Sequence, residues 1–190
     1  MPAALFIESA RAAHVHDMRR IDSIVYRSPW SVDLWRRELA RPASEACYVA
    51  ASVANGHVGH AGLLVQAGDG HVVTVAVDPE RRRLGIATQL MLVLARRAVA
   101  LGLDALTLEV RAGNQPAQSL YRQFGFGPAG VRPGYYADDG EDALIMWAHG
   151  VSEPAYTERL DGLVEEVGDC VIKPSLDRLM VVPHREDAHS

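Results

Sequence analysis

The stretch that decides the fold reads Val75-Ala76-Val77-Asp78-Pro79-Glu80-Arg81-Arg82-Arg83-Leu84-Gly85-Ile86-Ala87-Thr88. The residues from His71 to Val77 predict a strand. Asp78-Pro79 ends it, because proline lacks the N–H a sheet ladder needs. An arginine-rich turn with the spacing Arg82-x-x-Gly85-x-Ala87 leads into a long amphipathic helix over about 84–101. The first turn of a helix leaves backbone N–H groups without partners and carries the positive end of the helix dipole. Phosphate oxygens satisfy both. Gly85 and Ala87 keep bulk away from an approaching ligand, while Arg82 and Arg83 supply charge-assisted hydrogen bonds. The junction is a candidate diphosphate site. An arginine-rich surface turn that happens to precede a helix stays open on spacing alone.

Downstream, a strand is predicted over Ala105–Val110, a helix over about Pro116–Phe124, and strands over about 127–133 and 142–149 around a loop holding Tyr135-Tyr136. Upstream, a short strand over 5–8 precedes a helix over about His16–Tyr26, with Met18, Ile21, Ile24 and Val25 at helical spacing. Ser28-Pro29-Trp30-Ser31 breaks that helix, and Ser31 is the N-cap expected for the next, Val32–Ala40. Strands over Ala46–Ala54 and His57–Gln66 are joined by Asn55-Gly56, a dipeptide suited to the positive φ angles of a tight hairpin. An antiparallel meander followed by strand–helix–strand predicts an α+β fold, a mixed central sheet with a parallel pair at its centre. Residues 1–150 read as one domain. Residues 151–190 read as an extension of unassigned role, with a helix predicted over Pro154–Val167 and short apolar runs at Val171-Ile172 and Leu179–Val182.

The chain has 190 residues, 48% of them apolar, and a net charge of −5, enough for one domain with a substantial core. Of its 19 basic residues only Lys173 is a lysine, as a GC-rich coding bias produces. That balance gives no nucleic-acid footprint. The longest apolar run, 86–103, is interrupted by Arg96-Arg97, and no signal peptide is visible at the start. A cytoplasmic protein with no membrane partner is the expectation. Cys47 and Cys170 make neither a disulfide framework nor a metal site. His57-x-x-His60 falls in a predicted strand, where residues three apart face opposite sides, so no metal is expected there. Neither a Gly-x4-Gly-Lys-Ser/Thr loop nor Gly-x-Gly-x-x-Gly after a strand is present, which excludes the usual nucleotide loops.

With these residues in view, the chain resembles the GCN5-related N-acetyltransferases. Arg82-x-x-Gly85-x-Ala87 after a strand ending Ala76-Val77-Asp78-Pro79 is similar to that family's acetyl-CoA signature. Leu108-Glu109-Val110-Arg111-Ala112-Gly113-Asn114 and Ala117-x-x-Leu120-Tyr121-Arg122-x-Phe124-Gly125-Phe126 are similar to its second half. Arg132-Pro133-Gly134-Tyr135-Tyr136, the run Glu141 to Met146, and Pro29-Trp30-Ser31 resemble the RimI branch, which acetylates the N-terminal alanine of a ribosomal protein. The resemblance spans residues 5–149.

It implies acetyl-CoA as co-substrate, with no metal. Val75, Ala76 and Val77 would pair through their backbone with the pantetheine arm. Arg82 and the amides of Arg83, Leu84, Gly85, Ile86, Ala87 and Thr88 would hold the diphosphate, and Asn114 would bond the arm farther along. Thr74 stands where the branch often has asparagine. Glu109 would be the general base and Tyr121 the acid that protonates the departing thiolate. By alternation alone Glu109 reads equally as an outward-facing strand residue, and Tyr121 as a core aromatic. Trp30, Tyr135 and Tyr136 are candidates for the acceptor groove or for anchoring their loops. Neither cysteine is placed as a nucleophile, so direct attack in a ternary complex is implied. The acceptor would be a protein N-terminus, alanine in the branch it resembles; a lysine side chain or a small-molecule amine is the alternative.

Overall fold

Gly70, Val72, Thr74 and Ala76 of Asp69–Val77 are buried, as expected of a strand covered on both faces of a sheet. In the computed structural model, which describes residues 4–54, 56–167 and 171–172, this strand is the fourth of eight. In chain order the elements are β1 (Phe6–Ser9), α1 (Val15–Val25), α2 (Val32–Leu39), β2 (Ala46–Val53), β3 (Gly56–Gln66), β4 (Asp69–Val77), α3 (Ile86–Ala100), β5 (Ala105–Arg111), α4 (Gln115–Gln123), β6 (Gly127–Tyr136), β7 (Glu141–His149), α5 (Pro154–Val167) and β8 (Val171–Ile172). They form one mixed sheet in the order β6-β7-β5-β4-β3-β2-β1-β8. β4–β5 and β1–β8 are parallel and the other pairs antiparallel, which is the mixed architecture the sequence predicts. Asn55, Cys170, Lys173 and the run Leu179–Val182 lie outside the described residues.

Alternation assigns the two faces. On β2, Cys47 and Val49 turn into the larger core with Leu90, Met91, Leu94 and Ala98 of α3, whereas Ala46 and Tyr48 pack with Met18 of α1 and Trp35 of α2. Met18 and Ile21 are buried as the helical spacing requires, but Ile24 is 59% exposed. The expected N-cap forms: Ser31 Oγ accepts from the Leu34 N–H at 3.1 Å. Gly62 has no room for a side chain, because a Cβ there would fall inside the Tyr48 ring.

Two irregularities shape the sheet. Between β2 and β3 the register slips at Ala51/Ser52, leaving Val58 as an extra residue on β3. The bulge overturns the expectation that His57 and His60 face apart, since it cancels the alternation between them. Their rings stack at 5.6 Å, with Nε2 of His57 3.4 Å from Nδ1 of His60. The second slip, at Gly62/Leu63 on β3, leaves Val73 as an extra residue on β4.

α5 is built into the core. Tyr156, Leu160 and Leu163 are buried in the cluster that contains α3, and Asp161 lies 3.5 Å from Arg96. Val167 reaches the other end of α3, 3.9 Å from where a Gly85 Cβ would sit, so α5 runs antiparallel to α3. Among the described residues no helix is long and apolar enough to cross a membrane.

Candidate active site

The parallel pairing of β4 with β5 lasts for only two residue pairs, Gly70–Leu106 and His71–Thr107. The Val73 bulge bends β4 at that point and the strands part. Beyond His71, β4 has no strand partner on its β5 side among the described residues, so its backbone faces an open gap. A cavity of about 640 Å³ fills the gap and continues between the loop after α1 and the end of β6. Its lining includes Trp30, Val75, Arg82, Glu109, Asn114, Tyr121, Tyr135 and Tyr136, all sequence candidates drawn from separate parts of the chain.

The remaining candidates sit beside the cavity. Ala76 is buried opposite His60, and Val77 ends β4. The turn from Arg83 needs left-handed backbone at two positions, Arg83 (φ 60°) and Gly85 (φ 75°), and Gly85 is the N-cap of α3. Glycine meets that geometry without cost, whereas Arg83 is held in a conformation that disfavours a side chain. Leu84 is exposed and Ile86 is buried in the core, so the helix proper starts at Ile86 rather than 84. Ala87 and Thr88 follow in its first turn, whose N–H groups have no intrahelical acceptors.

Glu109 projects from β5 on the half-buried face, flanked by buried Leu108 and Val110. Its side chain is 13% exposed and meets two nitrogens: His71 Nε2 lies 3.0 Å from Oε2, and an Arg132 guanidinium nitrogen 3.1 Å from Oε1. Tyr121 is 9% exposed, its ring 5.9 Å from that of Phe126. Burial raises its phenol above the ordinary tyrosine value, helped by the nearby Tyr26 and Tyr136. Asn114 caps α4, its Oδ1 accepting from the Ala117 N–H at 3.2 Å. That leaves its amide NH2 as the group to offer a ligand.

The aromatic candidates both line the cavity and anchor their loops. Trp30 tilts against Trp35 at 4.7 Å. Tyr136 lies under the Arg111 guanidinium at 3.9 Å, and Tyr135 packs on its edge. Arg111 also binds Asp138, Asp139 and Glu141, which fixes the turn after β6. Arg27, in the loop after α1, binds Asp139 from the other side, so the two loops are tied across the cavity.

Sequence reading missed Tyr26, Asp22 and His71. Tyr26 donates to the Val75 carbonyl at 3.0 Å and lies 3.0 Å from Thr74 Oγ1, which docks the end of α1 on β4. Burial pushes its phenol up to about 12. Asp22 accepts from Trp35 Nε1 at 2.8 Å and meets His60 Nε2 at 2.8 Å. Only the aromatic type of Tyr26, next to Ser28-Pro29-Trp30, hinted at a place in the site. Cys47 is buried, and burial pushes its thiol up to about 11, which removes it as a nucleophile. Among the described residues no group of three His, Cys, Asp or Glu side chains could hold a metal ion.

A sheet split at its centre, with an arginine-rich turn and helix start at its end and a carboxylate and phenol on its walls, is the arrangement that the resemblance to acetyl-CoA-dependent transferases implies. Residues 15–126 match the acetyltransferase (GNAT) family, and the chain belongs to it: it is an N-acetyltransferase that uses acetyl-CoA. Among its relatives, a protein of Bacillus subtilis described as a putative [ribosomal protein bS18]-alanine N-acetyltransferase is 34% identical over 146 residues, 74% of this chain and 93% of the relative. The [ribosomal protein bS18]-alanine N-acetyltransferase of Escherichia coli is 42% identical over 74 residues, 38% of this chain and half of the relative. The crystal structure of the ribosomal-protein-S18-alanine N-acetyltransferase from Escherichia coli superposes with a TM-score of 0.70 at 26% identity, covering 77% of this chain and 94% of that one.

Proposed function

We propose that the chain acetylates the N-terminal α-amine of a protein, an alanine terminus of a ribosomal protein in the first instance, by direct attack within a ternary complex. The observation that carries this reading is the opening of Glu109 and Tyr121 onto one cavity at the β4–β5 split. The relatives named for alanine N-acetylation supply the acceptor. Residues 1–150 then hold the catalytic unit, and 151–167 brace α3 from behind. The reaction belongs in the cytoplasm, where such termini are made.

The residues present suit acetyl-CoA. The open edge of β4 at Val75–Val77 offers backbone groups to the two amides of pantetheine, as a neighbouring strand would. The amides from Arg83 to Thr88, with Arg82, suit the diphosphate. The α-ammonium of the acceptor has an ordinary value of about 7.7–8.0, so Glu109 has a modest task in taking its proton, directly or through water. The neutral nitrogen attacks the thioester carbonyl carbon, the C–S bond breaks, and Tyr121 gives its proton to the sulfur. The attacking nitrogen loses its second proton as the amide forms, and that proton returns through water to Tyr121; the products are the N-acetylated terminus and CoA thiol, with the first ammonium proton released to solvent. By reference values, about 10 for a phenol and 8.5 for a thiol, moving a proton from Tyr121 to a free thiolate is uphill, and burial of Tyr121 adds to this. Desolvation in the same cavity raises the sulfur's affinity for a proton as well. Donation therefore accompanies C–S cleavage and does not follow it.

The test is acetyl-CoA turnover on three amines: an Ala-starting peptide, the same peptide with a blocked terminus and one internal lysine, and spermidine. Turnover is expected on the first. Turnover confined to the lysine peptide or spermidine would refute the N-terminal assignment.

A further inference from the structure

The proposed base is not alone. Each oxygen of the Glu109 carboxylate has its own nitrogen partner, Oε2 with His71 at 3.0 Å and Oε1 with Arg132 at 3.1 Å. The two partners differ in kind. A guanidinium keeps its protons throughout the working pH range, so Arg132 holds the carboxylate in place without exchanging a proton with it. An imidazole can take up and release a proton under the same conditions.

Its position in the fold makes His71 rigid and reachable. It forms the second and last parallel pair between β4 and β5, opposite Thr107, just before the strands part. It therefore stands at the apex of the gap, on the same face as Glu109. The side chain is 27% exposed, against 13% for Glu109, so the imidazole has the better access to water. Arg132 is 53% exposed and closes the other side. The charged and titratable groups that share the cavity with this pair are Asp22 from α1, Tyr26 and Arg27 after it, Arg82 before α3, Arg111 from β5, Tyr121 from α4, and Tyr135, Tyr136 and Asp138 from β6 and its turn. Arg111 is already committed to Asp138, Asp139 and Glu141. Of the two groups against Glu109, the one that can pass a proton onward is His71.

We infer that Glu109 and His71 form a proton-carrying dyad in which His71 clears the proton that Glu109 takes from the acceptor amine. The inference rests on the acetyl-transfer reading above and adds the exit route. The acceptor ammonium gives H⁺ to the Glu109 carboxylate. The carboxylic O–H passes that proton to Nε2 of His71, which is neutral and carries its own proton on Nδ1. The carboxylate is restored, and the imidazolium releases H⁺ from Nδ1 to water. No redox partner is needed. The arrangement suits a ternary complex, since acceptor and acetyl-CoA would fill the cavity while a route for the proton persists along the β4–β5 apex.

The decisive substitution is His71→Gln. The amide nitrogen of glutamine reaches where Nε2 lies and holds Glu109 by a hydrogen bond, so H71Q keeps the carboxylate in place but cannot accept its proton. The dyad predicts that H71Q lowers kcat on the order of 10²-fold, the usual contribution of a proton-transfer group. KM for acetyl-CoA stays unchanged, and the acid limb of the kcat/KM profile is displaced. Wild-type kcat and profile in H71Q would overturn the dyad and leave His71 an orienting hydrogen-bond donor. A second measurement needs no acceptor: ¹⁵N spectra of labelled histidine in wild type and E109Q. Coupling predicts a changed tautomer and titration of His71 in E109Q, and identical spectra would overturn it. If wild type turns over only a lysine peptide or spermidine, the N-terminal reading fails by itself, and the H71Q comparison is made on that amine.

Discussion

Ending the chain at Gly150 removes more than an appendage. The cut deletes Val151, Tyr156, Leu160 and Leu163, four buried side chains of the cluster that contains α3. Fully burying a large apolar side chain contributes about 1.5–3 kcal/mol, so the loss of four is roughly 6–12 kcal/mol. Most single domains have only about 5–15 kcal/mol in total. The cut also uncovers the apolar flank of α3 that these residues cover. The shortened chain is therefore expected to be insoluble or to lack a cooperative thermal transition by circular dichroism. The single change Leu160→Ala, at a site 1% exposed, should lower stability by about 2–5 kcal/mol and lower Tm accordingly. A soluble 1–150 fragment that melts cooperatively within a few degrees of the full chain would show that α5 contributes little, and the burial reasoning would be wrong.

Other substitutions test other parts. Tyr121→Phe keeps the ring against Phe126 and should leave Tm nearly unchanged, while the rate of CoA release falls by about 10²-fold or more. Gly62→Ala drives a methyl into the Tyr48 ring and should cost about 1–3 kcal/mol in a denaturant titration. His57 should make the fold acid-sensitive. Burial, with His60, His14 and Arg20 adding to it, pushes its imidazole down to about 3, against about 6.5 in the unfolded chain. Between those values the unfolded state binds the extra proton, so stability is full above about pH 6.5 and declines as pH falls toward about 3. Urea midpoints measured across that window should slope less in His57→Gln than in wild type.

The order and type of the elements were readable because each has a local cause. Ser31 caps α2 through its own Oγ, Asp78-Pro79 stops β4, and alternation marks the buried side of β5. The cofactor-facing candidates came from a motif whose residues lie within one turn of chain. What escaped depends on register. The Val58 bulge on β3 brings His57 against His60, and no residue type at that point announces a bulge. Tyr26 and His71 looked like ordinary helix and strand residues; their roles depend on Val75 and Glu109, which are far away in sequence. Asn114 illustrates a shared duty, since the same amide caps α4 and faces the cavity.

The early parting of β4 and β5 has one more consequence. A sheet ordinarily hides its unpaired rims at the outside, where charge or a bulge guards them against adding foreign strands. Here a rim is opened in the middle of the sheet. If, as proposed, Val75–Val77 take the pantetheine arm, recognition there runs through peptide groups that every amino acid carries, and those positions can drift among small and branched residues without loss of grip. On that reading the hold on the donor is set by where two strands part, and the choice of acceptor by the side chains around them.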